Sequence, residues 1–220
     1  MPPEHYLKFI ENVVTPRRLL HSQGVMQVMG ELADVYNLDK EKAETIGILH
    51  DAGKDLPPDL QKQLVEAGKI KIRYECENDY LYYLHGPVGS YFVQRELGIS
   101  DRLILDAITT HTYCGDTENF NHPLCWCLRF GDILEPTRDW SKWGWLPIGV
   151  ENLRSMVYAG RMQEGAFLHM SMLIKWFGEQ NAPVHPRMKQ DTQELAASLK
   201  LDSTFLEQHI SAGYLSSSAS

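Results

Sequence analysis

Cysteine is scarce in this chain: Cys76, Cys114, Cys125 and Cys127 are the only four among 220 residues, and no two stand three apart. That excludes a disulfide-stapled scaffold and the C-x-x-C pairs of structural zinc sites. The thiols read as free, in a reducing cytoplasm. Long apolar runs are also missing. No stretch reaches the ~18 apolar residues of a membrane span, and the most apolar helical run, residues 166–177, is interrupted by His169 and Lys175. The opening Met1-Pro2-Pro3-Glu4-His5 lacks a basic segment followed by an apolar one, so no secretory signal is expected. Positive charge is in deficit, with 21 Lys and Arg against 29 Asp and Glu and a net charge of -8. Non-specific binding to a nucleic acid polymer needs cations to neutralise phosphates, so that class of function is excluded. Glycine-rich phosphate loops, internal repeats and alternating apolar strands are absent as well.

What the chain does have is helical signal. Its length suffices to bury about 70% of the unfolded surface, so a core needs no staple, and a single domain over residues 1–210 is expected, with its core at about 15–190. Thr15-Pro16 pairs a capping residue with proline at the first helical position. From there apolar residues recur at helical spacing to Leu32. Asp39 is placed to cap a second helix running to about Ala52, and Asp55-Leu56-Pro57-Pro58 turns the chain into a short helix ending near Ala67-Gly68. Residues 69–79 are polar and irregular. Gly86-Pro87 opens a helix that Gly98 ends, Asp101 caps the next one to about Thr112, and Pro123 opens one that Pro136 stops. Trp140, Trp143 and Trp145 fall in a glycine- and proline-containing stretch read as an ordered, lid-like loop. Two or three further helices are expected between 150 and 210, and a frayed tail over 211–220. The fold class is all-α.

The chemistry begins at Ile46-Gly47-Ile48-Leu49-His50-Asp51-Ala52-Gly53-Lys54. Adjacent helical residues lie about 100° apart, so His50 and Asp51 can flank one point at a helix end. Imidazole and carboxylate together suit Fe, Mn, Co or Zn, and a carboxylate can bridge two ions. A lone His-Asp reads equally well as a solvated helix end. His21, His85, His111 and Asp132 each lie beside apolar helical residues, where burial without a partner is costly. Any one of them alone reads as a satisfied core residue. Together with His50 and Asp51 they provide six ligand side chains on five helices, the inventory of a two-metal site. A structural site usually has four ligands, often thiolates, so six His and Asp side chains point to open positions and catalysis. His5 and His209 near the ends, His122 as a cap, His169 as a core residue and His185 in a turn receive no role.

These motifs, Arg18-x-x-His21-Ser22, Leu49-His50-Asp51-x-x-Lys54, His85-Gly86, His111-Thr112 and Gly131-Asp132-Ile133-Leu134-Glu135-Pro136-x-Arg138-Asp139, resemble those of HD-domain phosphohydrolases, in particular the symmetric dinucleoside tetraphosphatases. The resemblance spans about residues 15–190 and implies an HD-domain helical bundle with a dinuclear metal site at its centre. It implies that His21, His50, Asp51 and Asp132 hold one ion, that Asp51 bridges to a second completed by His85 and His111, and that the ions are iron, with Mn, Co or Zn as alternatives. Diadenosine tetraphosphate cut to two ADP is the implied reaction. Asp51 and Lys54 are then the catalytic candidates, and Arg18, Lys54, Thr112 and Arg138 the contacts to the substrate. Tyr82, Tyr83, Tyr113 and Trp140 lie near the motifs as candidate adenine neighbours. The partner is a small dinucleoside polyphosphate or other nucleotide, with a homodimer as the assembly the reading allows. The Trp140–Val150 segment is longer and richer in tryptophan than the family pattern. The competing readings are an HD phosphohydrolase of mono-, tri- or cyclic dinucleotides, and a non-catalytic nucleotide-binding HD module.

Overall fold

The computed structural model describes residues 4–211, and every regular element among them is helical. The expected fraying of the last residues falls, from 212 on, outside the described part. The chain divides into two compact units, Met1–Thr137 and Arg138–Ser220.

The first unit runs α1 (Glu4–Val13), α2 (Pro16–Tyr36), α3 (Lys40–Leu49), α4 (Pro58–Ala67), α5 (His85–Leu97), α6 (Arg102–Thr110) and α7 (Pro123–Leu134). Its boundaries are chemical. The Thr15 hydroxyl accepts from the Arg18 amide, and Asn37 ends α2 in the left-handed conformation. Asp39 and Asp101 cap α3 and α6 through their carboxylates, and His122 caps α7 through its ring. α2 packs on α3 and α7, α5 on α6, and α3 on α6 and α7. Ile46, Ile48, Leu49, Cys127, Leu128 and Phe130 at this junction are fully buried.

Two glycines set the distances that matter. A Cβ on Gly47 would lie 2.7 Å from the Met26 Cα, so α2 and α3 approach almost backbone to backbone. A Cβ on Gly53 would lie 2.6 Å from the His85 carbonyl oxygen and 2.7 Å from the Gly89 nitrogen, so the turn after α3 rests on the first turns of α5. Side chains there would push the helices apart, a change that typically costs about 1–3 kcal/mol in a packed interior.

The second unit contains α8 (Leu146–Tyr158), α9 (Met162–Glu179), α10 (Pro186–Leu199) and α11 (Ser203–Ile210). α9 packs on α8, α10 and α11 around Phe167, Leu168, Met170 and Met172. His169 is buried in this core, as the apolar run around it suggested.

The structure corrects several boundaries. α1 was not read from the sequence. α3 stops at Leu49 instead of Ala52, because Ala52 and Lys54 form tight i→i+3 bonds to Leu49 and Asp51 and bend the chain into a turn. The region after 146 holds four helices, not two or three. The tryptophan segment is tied to α9: Trp145 donates its indole N–H to Glu179 (3.0 Å), with Lys175 over its ring at 5.3 Å, and Trp143 meets Trp176 edge-on at 6.1 Å. All four cysteines are free thiols.

Candidate metal centre

Four histidines from four places in the first unit point at one aspartate. His21 comes from the second turn of α2, His50 and Asp51 from the turn after α3, His85 from the start of α5, and His111 from the end of α6. All five are buried. One group is His21, His50 and Asp51, and the other is Asp51, His85 and His111. In the first, His21 Nε2 lies 3.2 Å from His50 Nε2 and 3.7 Å from Asp51 Oδ2. Asp132, from α7, reaches into it with Oδ1 3.1 Å from His21 Nε2 and 3.9 Å from His50 Nε2. In the second, His85 Nε2 lies 3.2 Å from His111 Nε2, and Asp51 Oδ1 lies 3.4 and 3.7 Å from those two nitrogens. Asp51 Oδ2 thus faces His21, while Oδ1 lies within 3.7 Å of His50, His85 and His111, so the carboxylate touches both groups.

The opposite edge of each ring decides what these nitrogens are. His50 Nδ1 lies 2.8 Å from the Gly47 carbonyl, His85 Nδ1 3.0 Å from the Tyr80 carbonyl and His111 Nδ1 2.6 Å from the Ile108 carbonyl. A carbonyl only accepts, so each Nδ1 carries the proton. His21 Nδ1 donates in the same way to Glu135 Oε1 at 3.0 Å. Every Nε2 therefore presents a lone pair, and two lone pairs facing each other at 3.2 Å repel unless a cation lies between them. Ligand atoms sharing one ion at about 2.1 Å sit roughly 3.0 to 3.4 Å apart. The donor set fits divalent metal ions in both number and spacing.

Protonation agrees. Burial pushes the His50 imidazole down to about 4, outweighing the attraction of Asp51. Burial, reinforced by the Lys54 ammonium, holds His85 well below its ordinary value. For Asp51, burial opposes the charge, but the neighbouring His50 and Lys54 outweigh it and keep the carboxyl well below the usual range. Neutral imidazole and ionised carboxylate are the forms that bind metal.

Glu135 is the residue whose role sequence reasoning missed, although it stands in the motif containing Asp132. It is buried at the end of α7 and accepts from His21, the Thr137 amide (2.6 Å) and the Thr137 hydroxyl (2.8 Å). Burial raises its pKa, but these hydrogen bonds outweigh that and lower it overall. A carboxylate behind a ligating histidine fixes the ring and raises its basicity. Glu135→Gln is expected to weaken metal retention at the His21 group by about 10- to 100-fold, measured by titration with a competing chelator; retention within twofold of the unaltered protein would remove that role.

The other expected residues are placed as follows. Arg18 Nη1 donates to Asp51 Oδ2 at 2.8 Å. Lys54 Nζ lies 3.1 Å from both ring nitrogens of His85 and donates to the Leu81 carbonyl at 2.6 Å. Thr112 is buried, and its hydroxyl donates to the Tyr83 carbonyl at 2.7 Å, committing that proton to the fold. Arg138 belongs to the second unit and lies over the Trp140 ring at 5.3 Å. Tyr83 and Tyr113 are buried and so present no face to an adenine, whereas Tyr82 is half-buried.

Comparison with known proteins agrees with this geometry. The HD domain family matches residues 18–139. A symmetrical bis(5'-nucleosyl)-tetraphosphatase of Bacillus subtilis is 39% identical over 112 residues, which are 51% of this chain and 59% of that protein. Its counterpart in Halalkalibacterium halodurans is 31% identical over 186 residues, 82% of this chain and 89% of that protein. A crystal structure described as a predicted HD superfamily hydrolase involved in NAD metabolism, from Clostridium acetobutylicum, superposes with a TM-score of 0.75 at 24% identity over 89% of this chain and 97% of that one. It supports the fold.

Proposed function

The chain belongs to the HD domain family, and from that premise we propose that it is a metal-dependent phosphohydrolase cleaving diadenosine tetraphosphate symmetrically to two ADP. The observation carrying the metal-dependent part is the convergence of four Nε2 lone pairs on one ionised aspartate. The relatives named as symmetrical tetraphosphatases carry the substrate.

In this reading His21, His50, Asp51 and Asp132 hold one ion, and Asp51, His85 and His111 hold a second, with iron as the metal. Divalent ions held there would supply Lewis-acid chemistry, acidifying water and neutralising charge on phosphoryl oxygens. The chain's own residues do the rest. The four Nδ1 hydrogen bonds fix the imidazoles so that no ring reorganises during turnover. Lys54, at the edge of the second group, brings a point charge to a phosphate oxygen, and Arg18 brings a planar fork. Arg138 is assigned to the same task from its motif. Burial of Asp51 and the four histidines limits the access of bulk water to them.

The proposed domain extends over both units, about residues 15–190. It is supported by the second relative, whose similarity covers 82% of the chain and so continues beyond the residues of the family match. The same reading takes the cytoplasm as the compartment, in keeping with four free thiols, and a homodimer as the assembly. No described helix is long and apolar enough to cross a membrane.

The test is product analysis. Metal-loaded protein incubated with diadenosine tetraphosphate is expected to give ADP alone by ion-exchange chromatography, and none after His50→Ala/Asp51→Ala. ATP with AMP would keep the hydrolase and overturn symmetric cleavage. No product from a metal-loaded protein would overturn the substrate.

A further inference from the structure

Beside Arg18 lies a further carboxylate, Asp55, that the motifs quoted above do not include. Asp55 ends the turn that starts at His50. Its Oδ2 accepts from the Thr15 amide at 3.0 Å and from the Thr15 hydroxyl at 2.8 Å, which fixes the carboxylate against the start of α2. Its Oδ1 lies 3.8 Å from Arg18 Nε. That Nε is buried and makes no hydrogen bond among the described residues. Arg18 Nη1 meets Asp51 Oδ2 at 2.8 Å, on the carboxylate that both metal groups share. One guanidinium is thus bracketed by two carboxylates, one inside the centre and one outside it.

The arrangement has a direction. Of the five N–H groups of an arginine, the structure engages Nη1 with Asp51 and turns Nε to the Asp55 charge. The side chain remains about a quarter exposed (26%), so the guanidinium is at the rim of the centre and not sealed within it. Asp55 offsets the cost of the buried Nε without hydrogen-bonding it, and its two bonds to Thr15 keep it from following the arginine if the arginine moves. A long side chain that could otherwise sample several rotamers is held at one place, beside the shared aspartate.

We propose that Asp55 is a positioning residue for the substrate phosphate: it holds the Arg18 guanidinium beside Asp51 so that its remaining N–H groups receive a phosphate oxygen of a bound nucleoside polyphosphate. This rests on the nucleotide-hydrolase reading and adds to it a residue without direct substrate contact.

Asp55→Asn separates charge from scaffolding, because the amide oxygen still accepts from Thr15 while the charge facing Arg18 is gone. The measurement is calorimetric binding of ADP to metal-loaded protein, with metal content and melting temperature recorded for each variant. Asp55→Asn is expected to weaken ADP binding about tenfold, the size usual for a residue supporting a binding group, with metal content unchanged. Asp55→Glu, which restores the charge, is expected to recover most of that loss. In an Arg18→Ala background, Asp55→Asn is expected to add nothing further, since the group through which it acts is gone. Thr15→Val, which removes one of the two bonds that fix Asp55 but no charge, is expected to weaken ADP binding less than Asp55→Asn does. ADP binding by Asp55→Asn equal to the unaltered protein overturns the proposal. So does an equal loss in the Arg18→Ala background, loss of metal with Asp55→Asn, or, should that variant fail to fold, a folded Asp55→Glu whose loss persists without Arg18. A protein that binds ADP but does not cleave diadenosine tetraphosphate overturns the substrate assignment while the Asp55 comparison still stands. Failure to bind ADP at all overturns both.

Discussion

Asp51→Asn is expected to lower turnover by at least about a thousandfold, the equivalent of roughly 4 kcal/mol of transition-state stabilisation, and to leave the protein with less than half its bound metal. The reason is geometric. Asp51 Oδ2 faces His21 at 3.7 Å, and Oδ1 faces His85 and His111 at 3.4 and 3.7 Å. Asparagine has the same shape but only one acceptor oxygen, so whichever way the amide turns, an NH₂ that cannot ligate faces either His21 or the edge shared by His50, His85 and His111. The neutral side chain also removes the charge around which the imidazoles gather. Arg18 also loses the carboxylate to which its Nη1 donates at 2.8 Å. Elemental analysis and product chromatography on the same preparation check both parts. An asparagine variant with full metal content and turnover within tenfold of the unaltered protein would mean that Asp51 does not join the two groups.

Much of this centre was legible before its geometry was known, for reasons that can be named residue by residue. His50 and Asp51 are adjacent, and these two, His85 and Asp132 lie within four residues of strong local punctuation: Gly53, Gly86 and Pro87, and Pro136. Such signals act over a few residues and survive in sequence. What stayed hidden depends on long separations. Glu135 meets His21 across 114 positions. The Asp55 contact to Thr15 crosses 40. The segment 80–84 winds into a single wide turn because Tyr80 hydrogen-bonds the Gly53 carbonyl and Lys54 the Leu81 carbonyl, neither of which local propensity encodes. α1 is short, has one buried residue, Ile10, and docks on α2 and α3; its helicity is a tertiary effect, as expected for isolated helices of this length. The bond from the Thr112 hydroxyl to the Tyr83 carbonyl likewise joins residues 29 apart, which its place beside His111 does not encode.

Arg129→Met is expected to cost about 3 kcal/mol of stability, and with it the metal at the His85 and His111 group. Arg129 is almost completely buried at 1% exposure, the largest side chain hidden to that extent among the described residues. Its guanidinium lies over Phe120 at 4.2 Å, Trp126 at 4.5 Å and Tyr113 at 5.1 Å. Nη1 donates to the Phe120 carbonyl and Nη2 to the Thr110 carbonyl, both at 3.0 Å. Hydrogen bonds from a charged donor contribute about 1.5–3 kcal/mol each, and a desolvated cation over aromatic rings about 2 kcal/mol. Methionine fills much of the volume and removes the burial cost of the charge, which offsets part of that sum and leaves the smaller net figure. The two carbonyls lie on either side of His111 in the chain. Freed, they loosen the segment that carries it, while His21 and His50, on α2 and after α3, keep their own supports. At a chain of this size the loss corresponds to a fall of roughly 6–12 °C in melting temperature. Arg129→Lys, which retains the charge but can reach only one carbonyl at a time, is expected to fall between. Calorimetric melting with elemental analysis reads both effects. A methionine variant within about 0.5 kcal/mol of the unaltered protein, the range of an ordinary surface change, would show that the aromatic cage is filled by shape alone and that His111 is held from α6.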